Sequence, residues 1–172
     1  MRSKEKTEWI GDDGKTMTVA RKWCHRLLNT YFIYGLVLVG IGAIAGGSTF
    51  FMGQEITDVW EMRFVGGIQY HGFDLGLLLR LESLFLLISG TIFLATHFLG
   101  FSWLYDGKLF GPSKHWSITA IILSVFWIFI AFSAVQIVDP LAIINIIVAG
   151  LFLRSASEVR LDVYMGKIKQ ER

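Results

Sequence analysis

The chain has 172 residues, a formal net charge of +2 and a composition that is 53% hydrophobic but only 17% charged. This balance excludes an ordinary water-soluble domain of this length and indicates a single membrane domain. Because the basic residues flank apolar segments and form no continuous stripe, it also excludes a nucleic-acid-binding protein. The single cysteine, Cys24, excludes an internal disulfide and a CxxC motif, and we expect it to be an inert thiol near the membrane interface.

Two elements are predicted in the cytoplasmic N-terminal region, residues 1–29. Residues 8–19 fit a small hairpin that turns at Asp12-Asp13-Gly14. As an alternative for part of that stretch, residues 17–29 fit a short amphipathic helix lying at the membrane surface. Its apolar face carries Val19, Trp23 and Leu27, and its basic side meets anionic headgroups through Arg21, Lys22, His25 and Arg26. Because the first apolar segment begins late, we expect no cleaved signal peptide.

The first transmembrane span is predicted at residues 31–52, which contain no charge and are long enough as a helix to cross a bilayer. Gly35, Gly42 and Gly46 form a stripe along this helix, and the last two make a GxxxG pair. Lipid supplies no hydrophobic drive for helix association, so such a stripe predicts close packing against another helix. The alternative is that glycine is simply common in membrane helices.

The second span, residues 80–104, carries the ionisable residues that are costly to place in lipid. Arg80 and Glu82 are two positions apart, so they point to nearly opposite sides of a helix and each needs a partner elsewhere. One interpretation places both at the outer interface, solvated or paired with loop residues. The other is that Glu82, Ser89 and Thr96, at heptad spacing, form a polar stripe that marks a proton or ion route.

The third and fourth spans are predicted at residues 116–138 and 140–157. Asp139 is placed to cap the fourth helix, and Pro140 occupies its first position, where a missing N–H does no harm. So short a link predicts an antiparallel helix pair. The fourth span is full length only if Arg154 extends into the headgroups, and residues 160–172 are expected to form a cytoplasmic helical tail.

The distribution of basic residues predicts the orientation of the chain. They concentrate in the N-terminal region, in the link between the second and third spans and in the tail, whereas the loop at residues 53–74 is mainly acidic. We expect the protein to lie in the cell (inner) membrane. By the positive-inside rule, both termini are on the cytoplasmic side and residues 53–74 are on the outer side.

Histidines are the candidate ligands for a cofactor or a metal. His97, in the inner part of the second span, is either a packing residue or, with His115 as its partner, a group that binds haem or quinone. In the outer loop, His71 and Asp74 have an HxxD spacing that suits a metal site. The alternative there is a solvated loop, because zinc and copper sites usually contain more histidine or cysteine.

These features predict an all-α fold: a four-helix transmembrane bundle at residues 30–159, with an interfacial N-terminal helix and a cytoplasmic helical extension. No HExxH, GxSxG, Walker or GxGxxG motif occurs, so the sequence favours a protein that is not an enzyme and has no resident cofactor. We expect a non-catalytic accessory or structural subunit that packs against itself or other membrane subunits. The alternatives are an oxidoreductase subunit binding quinone or haem near His97, and ion or small-solute transport through a homo-oligomer. The transport path would be lined by Glu82, Ser89, Thr96, Gln136 and Asn145.

Overall fold

The computed structural model describes residues 9–10, 16–51, 75–106, 113–136 and 138–165. This part of the chain contains four helices: α1, Val19–Phe51; α2, Leu75–Asp106; α3, Ser113–Val135; and α4, Pro140–Tyr164. Two short strands precede them, β1 at Trp9–Ile10 and β2 at Thr16–Met17. The predicted outer loop and the tail from residue 166 onward lie outside the described residues.

All four helices are long enough and apolar enough to cross a membrane. The surface that they turn away from one another is also apolar: Ile44 is 76% exposed and Phe129 is 71% exposed. A bundle made for water carries charged side chains on that surface. The predicted all-helical fold with four membrane-length helices is therefore confirmed.

The helices form a closed ring in chain order. Each packs against its neighbours in sequence, and α4 packs against α1 to complete the bundle. Cys24, near the start of α1, faces Ser155 in the second half of α4. The start of α1 and the end of α4 therefore lie together, at what we call the terminal end. The opposite end, where α1 stops and α2 begins, is called the loop end.

The first helix begins twelve residues before the predicted span, at Val19 rather than at residue 31. The predicted interfacial helix is thus the first part of α1, with no break between the two. Its packing also differs from the prediction, because Arg21 is buried whereas Trp23 is 56% exposed. Arg21 donates to Leu104 O from Nε at 2.8 Å and also from Nη2. It caps a carbonyl at the end of α2, which has no partner within its own helix, so the prediction that Arg21 meets headgroups is wrong.

The predicted hairpin is confirmed in its strands. β1 and β2 pair antiparallel, with Trp9 opposite Met17 and Ile10 opposite Thr16. The predicted turn at Asp12-Asp13-Gly14 lies outside the described residues.

The third helix ends earlier than predicted, at Val135 instead of residue 138. The cause is Gln136, which adopts a left-handed backbone conformation with φ of 57°. Its N–H donates to Phe132 O at 2.9 Å, which completes the last helical turn. A left-handed residue at this position turns the chain out of the helix and frees it to enter the next one.

The predicted cap of α4 is confirmed. Oδ1 of Asp139 accepts a hydrogen bond from Leu141 N–H at 2.8 Å, and Pro140 stands at the first helical position. The helix then continues to Tyr164, past the predicted end of the span. On its exposed side, Arg154 pairs with Glu158 at 3.3 Å. A surface pair of this kind stabilises a helix only slightly.

Candidate functional site

The interior of the bundle contains polar side chains from every helix, although the outer surface is apolar. We call this set the polar core. Its members are Tyr31, Tyr34, Glu82, Ser89, Thr96, Ser117, Ser124, Trp127, Asp139, Asn145 and Ser155. Tyr34, Glu82 and Asp139 are half-buried, and the others are buried. In a bundle of membrane-length helices, polar side chains in the interior are the first place to look for function.

Two carboxylates lie at the loop end of the polar core. Glu82 of α2 is close enough to Asp139 for their charges to interact. Asp139 is fixed in place, because Trp127 Nε1–H donates to its Oδ2 at 2.7 Å and its Oδ1 serves as the cap of α4. Phe85 stacks on Trp127, with the ring centroids 5.2 Å apart. Glu82 has no hydrogen bond or ion pair within the described part of the chain. The pair thus combines Asp139, which two hydrogen bonds hold in place, with Glu82, which has no hydrogen bond among the described residues.

A tyrosine and an asparagine form the centre of the polar core. The Tyr34 hydroxyl donates to Asn145 Oδ1 at 2.6 Å, and the Tyr31 hydroxyl donates to a backbone carbonyl of α4 at 3.2 Å. Phe93 packs edge-on against both tyrosines, with ring centroids 4.8 and 5.2 Å apart. Tyr34 also lies within electrostatic reach of Asp139. It therefore connects the centre of the bundle to the acid pair.

Some buried polar atoms of the core have no hydrogen-bond partner among the residues that the structure describes. They are Ser89 Oγ, Ser117 Oγ, Asn145 Nδ2 and Ser155 Oγ. Ser117 faces the Tyr31 hydroxyl and Ser155 faces the Cys24 thiol, but neither pair has the geometry of a hydrogen bond. An unpartnered buried group costs about 1–3 kcal/mol. The polar core can therefore accept further polar groups at several depths.

Two hydroxyls of the polar core are satisfied locally. Thr96 donates to Ile92 O and Ser124 donates to Ala120 O, each at 2.8 Å and each within its own helix. Such bonds to the preceding turn are the usual arrangement for hydroxyls in apolar helices. Ser89, Ser117 and Ser155 make no such bond to their own helix.

Arg80 and Glu82 point to opposite sides of α2, as their spacing predicts. Arg80 is exposed, and its guanidinium carbon lies 5.3 Å from the centroid of the Phe50 ring. Glu82 turns toward Asp139, and Ser89 and Thr96 are fully buried. The structure thus brings the three members of the predicted stripe to the interior and leaves Arg80 outside it. A proton or ion route along this stripe stays a prediction.

The predicted glycine stripe of α1 packs against α2 of the same chain. A Cβ added to Gly35 would lie 2.9 Å from Gly90 O, one on Gly42 would lie 3.0 Å from Ser83 O, and one on Gly46 would lie 2.7 Å from Ser83 Oγ. These distances leave no room for a larger residue. The stripe therefore holds the chain together, and in this fold it is not available to a partner subunit.

His97 is held as a packing residue. Its Nδ1 lies 2.8 Å from Leu28 O, so the proton must be on that nitrogen for the ring to donate. Three aromatic rings surround it, with centroids 4.8–5.0 Å away: those of Phe32, Phe98 and Phe101. The proposed partner, His115, is exposed near the start of α3, and no hydrogen bond or ring contact joins the two within the described residues.

The other predicted metal ligands belong to the outer loop. His71 and Asp74 lie outside the described residues. Within the described ranges, no group of three His, Cys, Asp or Glu side chains is placed to hold a metal ion. Gln136, predicted to line a path, is exposed at the end of α3.

Three features of the site were not predicted. Gly90 of α2 matches Gly35 across the helix interface, and Asp139 was interpreted only as a helix cap. Tyr34 was not singled out; it lies one position before Gly35 and so points to a different side of α1 from the glycine stripe, toward Asn145 of α4. The sequence held no signal for these three features, because their roles depend on which helices become neighbours.

The arrangement encloses two neighbouring carboxylates and several unpartnered hydroxyl and amide groups within an apolar shell. Comparison with protein-family models, with curated proteins and with solved structures finds no match for this chain.

Proposed function

We propose that this protein is an integral membrane protein with both termini on the cytoplasmic side of the cell membrane. It acts there as a non-catalytic accessory or structural subunit of a larger membrane assembly. The helix lengths support the placement. α1 has 33 residues, which gives it a length of about 50 Å, whereas the hydrocarbon layer is about 30 Å thick. Its first part, with Lys22 and Arg26, then extends into the cytoplasmic headgroup layer, as the positive-inside rule requires.

The observation that carries the subunit role is a second small-residue stripe, on the outer face of α1. Gly40, Ala43 and Gly47 follow one another at helical spacing, and a Cβ added to either glycine would meet nothing within 4 Å. Larger apolar side chains flank this stripe, including Leu36 at 49% and Ile44 at 76% exposure. The result is a shallow open groove in a surface that otherwise faces lipid. Close backbone approach along such a groove is how membrane helices associate.

The experiment that tests this role measures the mass of the native complex in mild detergent. We expect the wild-type chain to occur as a defined oligomer or with partner subunits. Gly40→Leu and Gly47→Leu should dissociate the complex because they fill the groove. Gly150→Leu is the matched control, because it adds the same bulk to a glycine of α4 that also has open space around it. A stable lone monomer for the wild-type chain, or equal effects of all three variants, would contradict the proposal.

A second candidate function is transport of an ion or small solute, and the observation that favours it is the polar core. A structural subunit needs no acid pair inside its own bundle, and ionisable groups within membrane helices usually serve a pathway. Glu82 is the group to test, because it is half-buried and has no partner among the described residues. In proteoliposomes, Glu82→Gln should remove flux, whereas Glu158→Gln, which makes the same change at an exposed site of α4, should leave it unchanged. Unchanged flux in both variants would count against transport.

A further inference from the structure

The unpartnered polar atoms of the polar core occupy successive depths of the bundle. Ser89 lies about 10 Å along α2 from Glu82, and Asn145 lies about 9 Å along α4 from Asp139. Ser117 of α3 faces Tyr31 of α1, and Ser155 of α4 lies near the terminal end of the bundle, next to Cys24. Each of these side chains is at least nine-tenths buried, with an exposed fraction between 0% and 6%. Together they reach from the acid pair toward the opposite end of the bundle.

These side chains point into one interior and not into lipid. Ser89 lies on α2 between Phe85, which stacks on Trp127 of α3, and Phe93, which packs against Tyr31 and Tyr34 of α1. Asn145 lies in the same part of the interior, because it accepts a hydrogen bond from Tyr34. The unpartnered groups of α2 and α4 thus lie in the same part of the bundle interior, among aromatic side chains.

We propose that the polar core binds a chain of water molecules that runs from Glu82 and Asp139 toward Ser155. Buried water is held where it finds two to four polar partners, and hydroxyls and amides that lack a protein partner supply them. Water satisfies both donors and acceptors, which matches a mixed set of hydroxyls and one amide N–H. One consequence of this inference rests on the transport function proposed above. A chain of bound water passes protons from molecule to molecule, so the species transported is the proton.

The titratable group that the structure places near Glu82 is Asp139, at the start of α4. Tyr34 of α1 lies within electrostatic reach of Asp139, and the α3 residue bonded to Asp139, Trp127, does not titrate. Arg80, on the same helix as Glu82, is turned away over Phe50. Proton entry at the loop end therefore depends on the two acids.

Radiolytic hydroxyl-radical labelling of the full-length protein in lipid nanodiscs tests for the water chain directly. Radicals form from water, so buried side chains are modified only where water is bound beside them. After normalisation to the unfolded chain, we expect Tyr34 and Trp127 to be labelled much faster than Phe129, which faces lipid. Asn145→Leu should protect Tyr34, because an apolar side chain of similar size removes the polar partner. Thr91→Val is the matched control, since Thr91 is exposed and bonds only to its own helix.

The outcomes separate the water chain from the transport function. If Tyr34 and Trp127 are labelled no faster than Phe129 in the wild-type protein, the water chain is overturned, whether or not the Asn145→Leu variant folds. Proton flux into liposomes containing a pH-sensitive dye, lost in Glu82→Gln and retained in Thr91→Val, would support both the water chain and transport. Rapid labelling without proton flux would support bound water and defeat the transport candidate.

Discussion

The contact between α1 and α2 at Gly35 and Gly90 gives the most direct test of the helix packing. A Cβ added to Gly90 would lie 2.7 Å from Gly35 O, 2.7 Å from Val39 Cγ2 and 2.9 Å from Val39 N. Two of these atoms belong to the backbone and cannot rotate away, so Gly90→Ala must separate the helices. Overpacking of this kind costs about 1–3 kcal/mol, and the better helix propensity of alanine returns about 0.5–1 kcal/mol.

Gly40→Ala is the matched control, because a Cβ at Gly40 meets nothing within 4 Å and the variant gains only the propensity term. We therefore expect Gly90→Ala to be less stable than Gly40→Ala by about 1–3 kcal/mol, or about 5- to 150-fold in the unfolding equilibrium constant. The assay is reversible unfolding in mixed micelles with increasing SDS, followed by far-ultraviolet circular dichroism. Equal stability of the two variants would show that α1 and α2 do not meet in this register.

Further predictions concern the ends of the bundle and its histidine. Arg21→Gln should lower the free energy of unfolding by about 1.5–3 kcal/mol because it removes a charged cap from Leu104 O, whereas Arg26→Gln, at an exposed position, should change it little. A double-mutant cycle of Trp127→Phe and Asp139→Asn should give a coupling energy of about 0.5–3 kcal/mol, while Trp116→Phe with Asp139→Asn should give none; equal couplings would refute the hydrogen bond. Purified protein should show no Soret absorption, because His97 is engaged as a packing residue, and a Soret band that His97→Ala removes would overturn that role.

The parts of the fold that the sequence predicted are those decided locally. A charge-free apolar stretch becomes a membrane-length helix wherever it stands, so the four spans were found with errors only at their ends. The Asp139-Pro140 cap was found for the same reason, since its residues act on their own helix. The two boundary errors differ in origin. The early end of α3 has a local cause, the left-handed backbone of Gln136, whereas the early start of α1 reflects tertiary packing, because Arg21 donates to Leu104 O of α2.

The parts that escaped prediction depend on which helices become neighbours. The glycine stripe was recognised, but nothing in the order of residues specified that its partner would be Gly90 of the same chain. Glu82 was predicted to need a partner elsewhere in the chain, and Asp139 was predicted only to cap the fourth helix. The two carboxylates come close together only when all four helices have packed. The hydrogen bond from Tyr34 to Asn145 likewise requires α4 to return to α1.

The guanidinium clamp of Arg21 also bears on the order in which the chain is assembled. Its acceptor, Leu104 O, is 83 residues further along the polypeptide. During synthesis the ribosome must therefore deliver the whole of the second helix before the first can be fastened at its starting end. In the orientation that we propose, Arg21 stays hydrated on the cytoplasmic side until then, which favours retention of the amino terminus there. In that case the same side chain contributes first to the topology of insertion and later to the packing of α1 against α2.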